Sequence, residues 1–222
     1  MKCRIVTFEE VYAMSKQVAG KVKESGYKPT TIVGLARGGW MPARLLCDFL
    51  GITDLISLKV EHWLETGRTK DEATIRYPLT GDLRGKRLLV VDDIADTGKS
   101  LIASTSYLAS FNADEMKTAT MQYLPASKFV PDFYAEEVKV WAWFIYPWNW
   151  IEDTTTLIVR FMDIDKEKVW SPQAVNEGLR GLFEIEWELG MLQYILQVMV
   201  ERGQLEEVKG GYRLKEAKVI RL

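Results

Sequence analysis

The sequence predicts an α/β protein built on a doubly wound, mostly parallel sheet, followed by a small C-terminal winged-helix-like α+β module. Three observations carry this expectation. Short runs rich in β-branched residues alternate with amphipathic helical stretches over about the first 160 residues. The run Arg87-Leu88-Leu89-Val90-Val91 is apolar without alternation, as in strands buried on both faces of a parallel sheet. After Asp163-Ile164-Asp165 the texture changes to helices and then a hairpin. The chain has 222 residues, 47% hydrophobic and 27% charged, enough to bury a core without disulfides or structural metal.

Thr7 and Glu10 form a T-x-x-E capping box, and Phe8, Val11, Tyr12, Val18, Ala19 and Val22 recur at helical spacing until Gly26, predicting a helix over 8–25. Residues 31–35 read as a strand, Ala36-Arg37-Gly38-Gly39 as a tight loop and 40–50 as a helix closed by Gly51. A further strand is expected over 55–60. From 61 to 77 the chain turns polar, which predicts a long mobile loop or a β-excursion. The strand at 87–91 leads into Asp92-Asp93-Ile94-Ala95-Asp96-Thr97-Gly98-Lys99-Ser100 and a helix to about Phe111. Strands are expected at 117–123 and 138–143. Ser171-Pro172 caps a helix over 173–180, Met191, Leu192, Tyr194, Ile195, Val198 and Met199 mark another ended by Gly203, and 204–208 with 212–215 form a hairpin across Gly210-Gly211. The expected domains are 1–165 and 169–222.

Lys and Arg total 29 against 31 for Asp and Glu, a net charge of −2, so no global basic field is present to hold nucleic acid. Cys3 and Cys47 form no C-x-x-C pair and His62 is the single histidine, which excludes a Cys/His zinc site. Both cysteines are expected as reduced thiols of a cytoplasmic protein. Met1-Lys2-Cys3-Arg4 opens without the apolar stretch of a secretory signal, and the longest apolar-looking run, 138–148, contains Lys139 and Pro147 and falls short of the ~20 residues that span a bilayer. A soluble protein is expected.

The most specific feature is the pair of carboxylates Asp92 and Asp93 at the end of a buried strand, followed by Asp96-Thr97-Gly98-Lys99-Ser100 at a helix start. The glycine and helix N-terminus offer backbone N–H groups to an anion, Thr97 and Ser100 add hydroxyls, and Lys99 adds a charge. Asp92 and Asp93 repel a phosphate, so they suit sugar hydroxyls or a Mg²⁺ shared with substrate oxygens. A phosphorylated sugar fits both halves. Gly98-Lys99-Ser100 does not complete a Walker loop, because Asp93 stands where G-x-x-x-x-G-K-S requires glycine. The plainer alternative is a solvated acidic turn capping a helix.

Residues 90–100, V-V-D-D-I-A-D-T-G-K-S, resemble the signature of the type I phosphoribosyltransferases, which transfer the phosphoribosyl group of phosphoribosyl pyrophosphate (PRPP) to a nitrogenous base and release pyrophosphate. The resemblance covers about residues 1–160 and implies that family's fold, with an aromatic hood over the base. It implies that Asp92 and Asp93 hold the ribose hydroxyls and Mg²⁺, and that Ala95, Asp96, Thr97, Gly98, Lys99 and Ser100 cradle the 5′-phosphate. Asp96 matches the acidic position that handles the purine's proton in 6-oxopurine members, a general-base role for a carboxylate within hydrogen-bond reach. The loop Ala36-Arg37-Gly38-Gly39 matches the pyrophosphate loop, often built with a non-proline cis peptide, here at Ala36-Arg37. Glycine lets amides approach an anion and arginine presents a planar fork to phosphate oxygens.

The polar stretch 61–77 corresponds to the family's lid, with Arg68, Lys70 and Arg76 as alternatives for reaching the pyrophosphate. His62 is expected as a surface or partly packed side chain. Trp141, Trp143, Trp148 and Trp150 fall within ten residues, and the segment is similar to the W-I-E-Q-P-W-D stretch of bacterial xanthine-guanine phosphoribosyltransferases. That similarity aligns Trp143 with the purine-stacking tryptophan and Phe144 with its neighbour, and the resemblance adds Ile94 to the purine-binding residues; a core or interface cluster is the alternative for most of the four tryptophans. Leu124 departs from the pattern where the family has the lysine that reads the purine's exocyclic oxygen, and Lys128 is the replacement expected. Enzymes of this family commonly form dimers, so a homo-oligomer is expected. Residues 169–222 carry 7 Lys plus Arg against 8 Glu, which favours oligomerisation or packing over nucleic-acid binding.

Overall fold

The computed structural model describes residues 1–65 and 68–215; for 61–65 and 68–74 it describes the backbone alone. Along the chain run β1 (Cys3–Ile5), α1 (Phe8–Glu24), β2 (Thr31–Ala36), α2 (Trp40–Leu50), β3 (Leu55–Glu65), β4 (Arg68–Tyr77), β5 (Arg87–Ala95), α3 (Lys99–Ala109), β6 (Glu115–Tyr123) and β7 (Phe133–Glu137). There follow β8 (Trp143–Ile145), a 3₁₀ turn (Pro147–Asn149), α4 (Trp150–Met162), α5 (Pro172–Phe183), α6 (Leu189–Glu201), β9 (Leu205–Val208) and β10 (Gly211–Leu214). Two compact units result: Thr7–Trp141, and Met1–Val6 with Ala142–Leu222.

The Thr7–Trp141 unit holds a six-stranded sheet in the order β4-β3-β2-β5-β6-β7, parallel except where β4 returns antiparallel along β3. α1 starts where the capping box sets it, Thr7 and Glu10 each accepting the other's backbone N–H at 3.1 and 2.7 Å. α2 stops at Gly51, whose φ of 70° is the left-handed conformation a glycine reaches at little cost. α3 packs Leu101 and Leu108 onto Val33, Leu35, Leu58, Leu88 and Val90. From the other side Ser15 of α1 donates its hydroxyl to Met121 Sδ of β6 at 3.2 Å. The central strands are therefore covered on both faces, which is why β5 reads as an unbroken apolar run.

The polar stretch expected as loop or β-excursion is the β3–β4 hairpin, the β-excursion of the two readings. The strand expected at 138–143 is corrected by the structure. The sixth strand is β7, between five and six residues earlier in its centre, and Val140 and Trp141 are 70% and 50% exposed. An alternating pattern marks a strand only where a partner exists; β6 offers its edge to residues 133–137, with Ala119 paired to Phe133 and Tyr123 to Glu137.

In the other unit β1 and β8 form a two-stranded parallel pair. Ile145, Leu157, Ile158, Met162, Leu179 and Leu192 are fully buried in one core shared by β8, α4, α5 and α6. Trp170 exchanges two backbone hydrogen bonds with Tyr212, at 2.8 and 2.9 Å, adding a third strand position beside the β9–β10 hairpin. Asn176 of α5 pins the entry to α6, donating to Trp187 O at 2.8 Å and accepting from Trp187 N at 3.0 Å. The order helix, strand position, helix, helix, hairpin is winged-helix-like, and α4 joins it. This cut by packing differs from the expected division at 165–169, because the aromatic segment and the C-terminal helices bury one another. Trp150 illustrates this: its indole N–H donates to Val6 O at 3.0 Å while its ring meets Trp187 edge-on at 5.5 Å.

Candidate active site

The sheet order reverses between β2 and β5: from β2 the chain passes outward to β3, and from β5 it passes the opposite way to β6. At such a switch point the loops leaving the two strands separate and open a crevice at the strands' carboxyl ends. The two loops singled out in the sequence are the ones that leave these strands.

The β2–α2 loop contains the cis peptide Ala36-Arg37. It closes tightly, with Gly39 N donating to Leu35 O at 2.9 Å and Trp40 N to Arg37 O at 3.3 Å, and leaves Arg37 exposed. Its glycines face the aspartates directly. A Cβ on Gly38 would lie 1.9 Å from Asp93 Oδ2, and one on Gly39 would lie 2.2 Å from Val91 O. Glycine is thus what lets Asp93 and the loop backbone share this space.

The β5–α3 loop folds on its own side chains. Asp92 Oδ1 accepts from Asp93 N at 3.0 Å, Asp93 Oδ1 from Ile94 N at 2.8 Å, and Asp96 Oδ1 from Thr97 N. Gly98, at φ 75°, turns the chain into α3 and contributes no side-chain cap to it. The β6–β7 loop closes over this turn: Leu124 N donates to Ala95 O at 3.0 Å, Lys128 N to Thr97 O at 3.1 Å, and a Cβ on Gly98 would meet Phe129 N and Ser127 Oγ at 2.7 Å. Ser127 and Phe129, unremarked in the sequence, therefore hold the loop; only a contact across some 30 residues reveals them.

The electrostatics mark Asp92. Its carboxyl is pushed well above the ordinary range, first by burial, then by the Asp93 carboxylate, with Asp96 and a hydrogen bond to Asp93 in the same direction. Paired carboxylates of this kind relax when a cation neutralises them. Among the described residues no group of three or more His, Cys, Asp or Glu is arranged to hold a metal ion by itself.

The structure brings Ala36, Arg37, Gly38, Gly39, Asp92, Asp93, Ile94, Ala95, Asp96, Thr97, Gly98, Lys99, Ser100 and Lys128 into one unit, at and just beyond the carboxyl ends of β2, β5 and β6. Leu124 is buried and Lys128 is exposed. Trp143 and Phe144 belong to the other unit, where Trp143 N donates to Lys2 O at 2.8 Å and Phe144 is buried with the Arg4 guanidinium 5.8 Å from its ring. Trp148 stacks on Tyr146 at 4.9 Å. The side chains of His62, Arg68 and Lys70 lie outside the described residues.

A family model described as the phosphoribosyl transferase domain matches residues 5–152. The chain belongs to the phosphoribosyltransferase family. It is similar to a xanthine-guanine phosphoribosyltransferase of Nitratidesulfovibrio vulgaris (strain Hildenborough), 30% identical over 147 residues that cover 65% of this chain and 83% of that protein. Among solved structures it resembles a purine phosphoribosyltransferase from Pyrococcus horikoshii, with 34% identity and a TM-score of 0.57 over 67% of this chain and 94% of that one. A xanthine-guanine-hypoxanthine phosphoribosyltransferase of Helicobacter pylori shares the phosphoribosyltransferase fold at 20% identity and a TM-score of 0.56.

Proposed function

We propose that this phosphoribosyltransferase is a purine enzyme of salvage, transferring the 5-phosphoribosyl group of PRPP to a 6-oxopurine (xanthine, hypoxanthine or guanine) with release of pyrophosphate and with Mg²⁺ as cofactor. The observation that carries the reading is the crevice at the β2/β5 switch point, with a carboxylate pair between two glycine-bearing loops at helix N-termini. The names of the relatives in Nitratidesulfovibrio vulgaris and Pyrococcus horikoshii support the purine.

On this reading Asp92 and Asp93 bind the ribose hydroxyls and would hold Mg²⁺, which when bound would supply positive charge to offset that of the pyrophosphate. The amides and side chains of Ala95 to Ser100 grip the 5′-phosphate at the start of α3. Arg37 and the amides of Gly38 and Gly39 bind pyrophosphate, whose negative charge grows as the anomeric bond breaks, so their contribution is electrostatic and largest in the transition state. Asp96 accepts the purine's proton, and Ile94, Lys128, Trp143 and Phe144 form the base site, Lys128 in place of the lysine missing at Leu124. Arg68, Lys70 and Arg76 of the hairpin are alternatives for closing on the pyrophosphate. In domain terms residues 1–165 are the catalytic part and 169–222 an appended module of a homo-oligomer.

A PRPP-sensing regulator that binds nucleic acid through the module is the second reading, favoured by the winged-helix-like order of elements. The charge opposes it: α6, in the position of a recognition helix, contains no Lys or Arg between Leu189 and Glu201. Incubation with PRPP, Mg²⁺ and each base, with pyrophosphate and nucleotide measured, tests the enzyme reading; absence of turnover with every base, together with a salt-sensitive shift of DNA, replaces it by the regulator. Asp96→Asn is expected to lower kcat by about 10²–10⁴ with PRPP binding kept. Unchanged turnover removes Asp96 from proton transfer.

A further inference from the structure

Beyond β6 the chain lays a short brace along the β5–α3 loop. Leu124-Pro125-Ala126-Ser127 is a β-turn, closed by Ser127 N donating to Leu124 O at 2.9 Å, with proline in the second position, where its fixed φ suits the turn. The brace meets the β5–α3 loop at two carbonyls: Leu124 N donates to Ala95 O at 3.0 Å and Lys128 N to Thr97 O at 3.1 Å. A trans peptide is planar and points its C=O and N–H in opposite directions, and the only cis peptide among the described residues is Ala36-Arg37. Thr97 O and Gly98 N share one such unit. A carbonyl held on Lys128 N therefore turns the Gly98 N–H away from the brace, and Ala95 O does the same for Asp96 N. The Gly98 N–H has no acceptor among the described residues.

We propose that Ser127 is a positioning residue for phosphate binding, one that aims the Gly98 amide at the anion through the main chain of Lys128. The inference rests on the reading of Ala95 to Ser100 as the 5′-phosphate loop and adds to it a residue outside that loop. The Ser127 hydroxyl closes the turn around Lys128, its Oγ donating to Phe129 O at 2.9 Å and accepting from Phe129 N at 3.3 Å. Phe129 in turn packs against the core that α3 shares with the sheet, which anchors the turn. Because Gly98 has no Cβ, Ser127 Oγ and Phe129 N both come within 2.7 Å of where one would stand, so the turn bears directly on the phosphate loop. Without the hydroxyl the turn around Lys128 loses its internal tie, and the Thr97–Gly98 peptide is free to rotate. An amide already aimed at its ligand binds without reorganising, whereas one that must be turned loses affinity. The 5′-phosphate lies away from the bond that breaks, so the grip on it is the same in ground and transition states. Its weakening therefore falls on KM for PRPP and leaves kcat in place.

The full chain and its Ser127→Ala and Ser127→Thr variants are titrated calorimetrically with ribose 5-phosphate, which carries the 5′-phosphate and no pyrophosphate. Turnover is measured with PRPP varied at saturating base and with base varied at saturating PRPP, and thermal melts verify folding. Ser127→Ala is expected to raise both the dissociation constant of ribose 5-phosphate and KM for PRPP about tenfold, the scale of one weakened hydrogen bond to a charged group. Its kcat and its KM for the base are expected within about twofold of wild type, and its melting temperature within a few degrees. Ser127→Thr keeps the hydroxyl and is expected to bring both affinities back to within about threefold of wild type. A wild type that does not bind ribose 5-phosphate overturns the reading of the loop and this inference with it. A wild type that binds, matched by Ser127→Ala to within about twofold, overturns the inference alone. So does a loss in kcat or in KM for the base equal to the loss for PRPP, which makes Ser127 a merely structural residue, and so does a Ser127→Thr variant that recovers nothing.

Discussion

Gly38→Ala isolates one contact of the crevice. Gly38 is not among the glycines with positive φ, so its backbone accepts alanine. The added Cβ, however, falls 1.9 Å from Asp93 Oδ2, 2.5 Å from Asp93 Cγ and 2.9 Å from Asp93 Oδ1. Ordinary contact for such a pair starts near ~3.4 Å, so the carboxylate must withdraw by about 1.5 Å. Displacing a substrate-positioning group by about 1 Å costs on the order of 10² in rate, and about 2.7 kcal/mol of transition-state stabilisation corresponds to that factor. Stability has a much smaller stake, because a swung carboxylate costs about 0.5–1.5 kcal/mol in rotamer energy. The expected result is a roughly 100-fold fall in kcat/KM for PRPP at saturating base, with a melting temperature lowered by only a few degrees. A kcat/KM within about threefold of wild type refutes the reasoning, since it means that Asp93 does its work from the displaced position or does none. A loss that comes with global unfolding refutes it equally, because the contact is then structural.

Gly98→Ala is expected to differ in kind: its Cβ meets backbone and Cβ of Phe129 at 2.7 Å in a left-handed conformation, so strain and overpacking together cost roughly 2–4 kcal/mol, read as a lower urea midpoint alongside lost activity. Asp92→Asn is expected to raise the melting temperature while weakening PRPP binding, because it removes a crowded carboxylate whose pKa burial and the Asp93 carboxylate push well above the ordinary range. The sign follows from linkage: with the folded-state pKa raised, Asp92 costs the native protein nothing below the unfolded pKa and progressively more as pH rises through the window up to the folded value, so the gain from Asp92→Asn is expected to grow with pH across that window and to vanish in acid. A melting temperature that falls at every pH contradicts this. Burial pushes Cys3 up to about 11 and raises Cys47 also, so a thiol reagent at pH 8 is expected to leave both unmodified until the protein unfolds, as counted by absorbance.

What the sequence reveals follows the range of the interactions involved. The carboxylate and glycine loop at 90–100, the Thr7–Glu10 capping box and the Ser171-Pro172 helix start are each made by residues within a turn of one another, and all are present as read. The alternation of strand and helix was legible for the same reason, since each element of the sheet buries its own periodic pattern. Some elements depend on distant partners. The three-residue strands β1 and β8 exist only because Cys3 pairs with Trp143 across 140 positions, and strand content shorter than a period carries no pattern of its own. The sequence likewise misplaced the sixth strand, since the open edge of β6 rather than local alternation selects residues 133–137.

The sequence by itself determined the chemistry of the two loops: which residues carry negative charge, which offer bare amides, and in what order they leave a strand and enter a helix. Tertiary structure decided how those loops meet. The strand order sets β2 beside β5, and only then does Gly38 come against Asp93, Ser127 and Phe129 come over Gly98, and burial push the Asp92 carboxyl above its ordinary range. It also drew the boundary between the two units, since the aromatic segment buries its rings against the C-terminal helices. Composition fixes what each side chain can do, whereas solvation and steric contact are properties of neighbours, and neighbours more than 20 residues apart are chosen by packing.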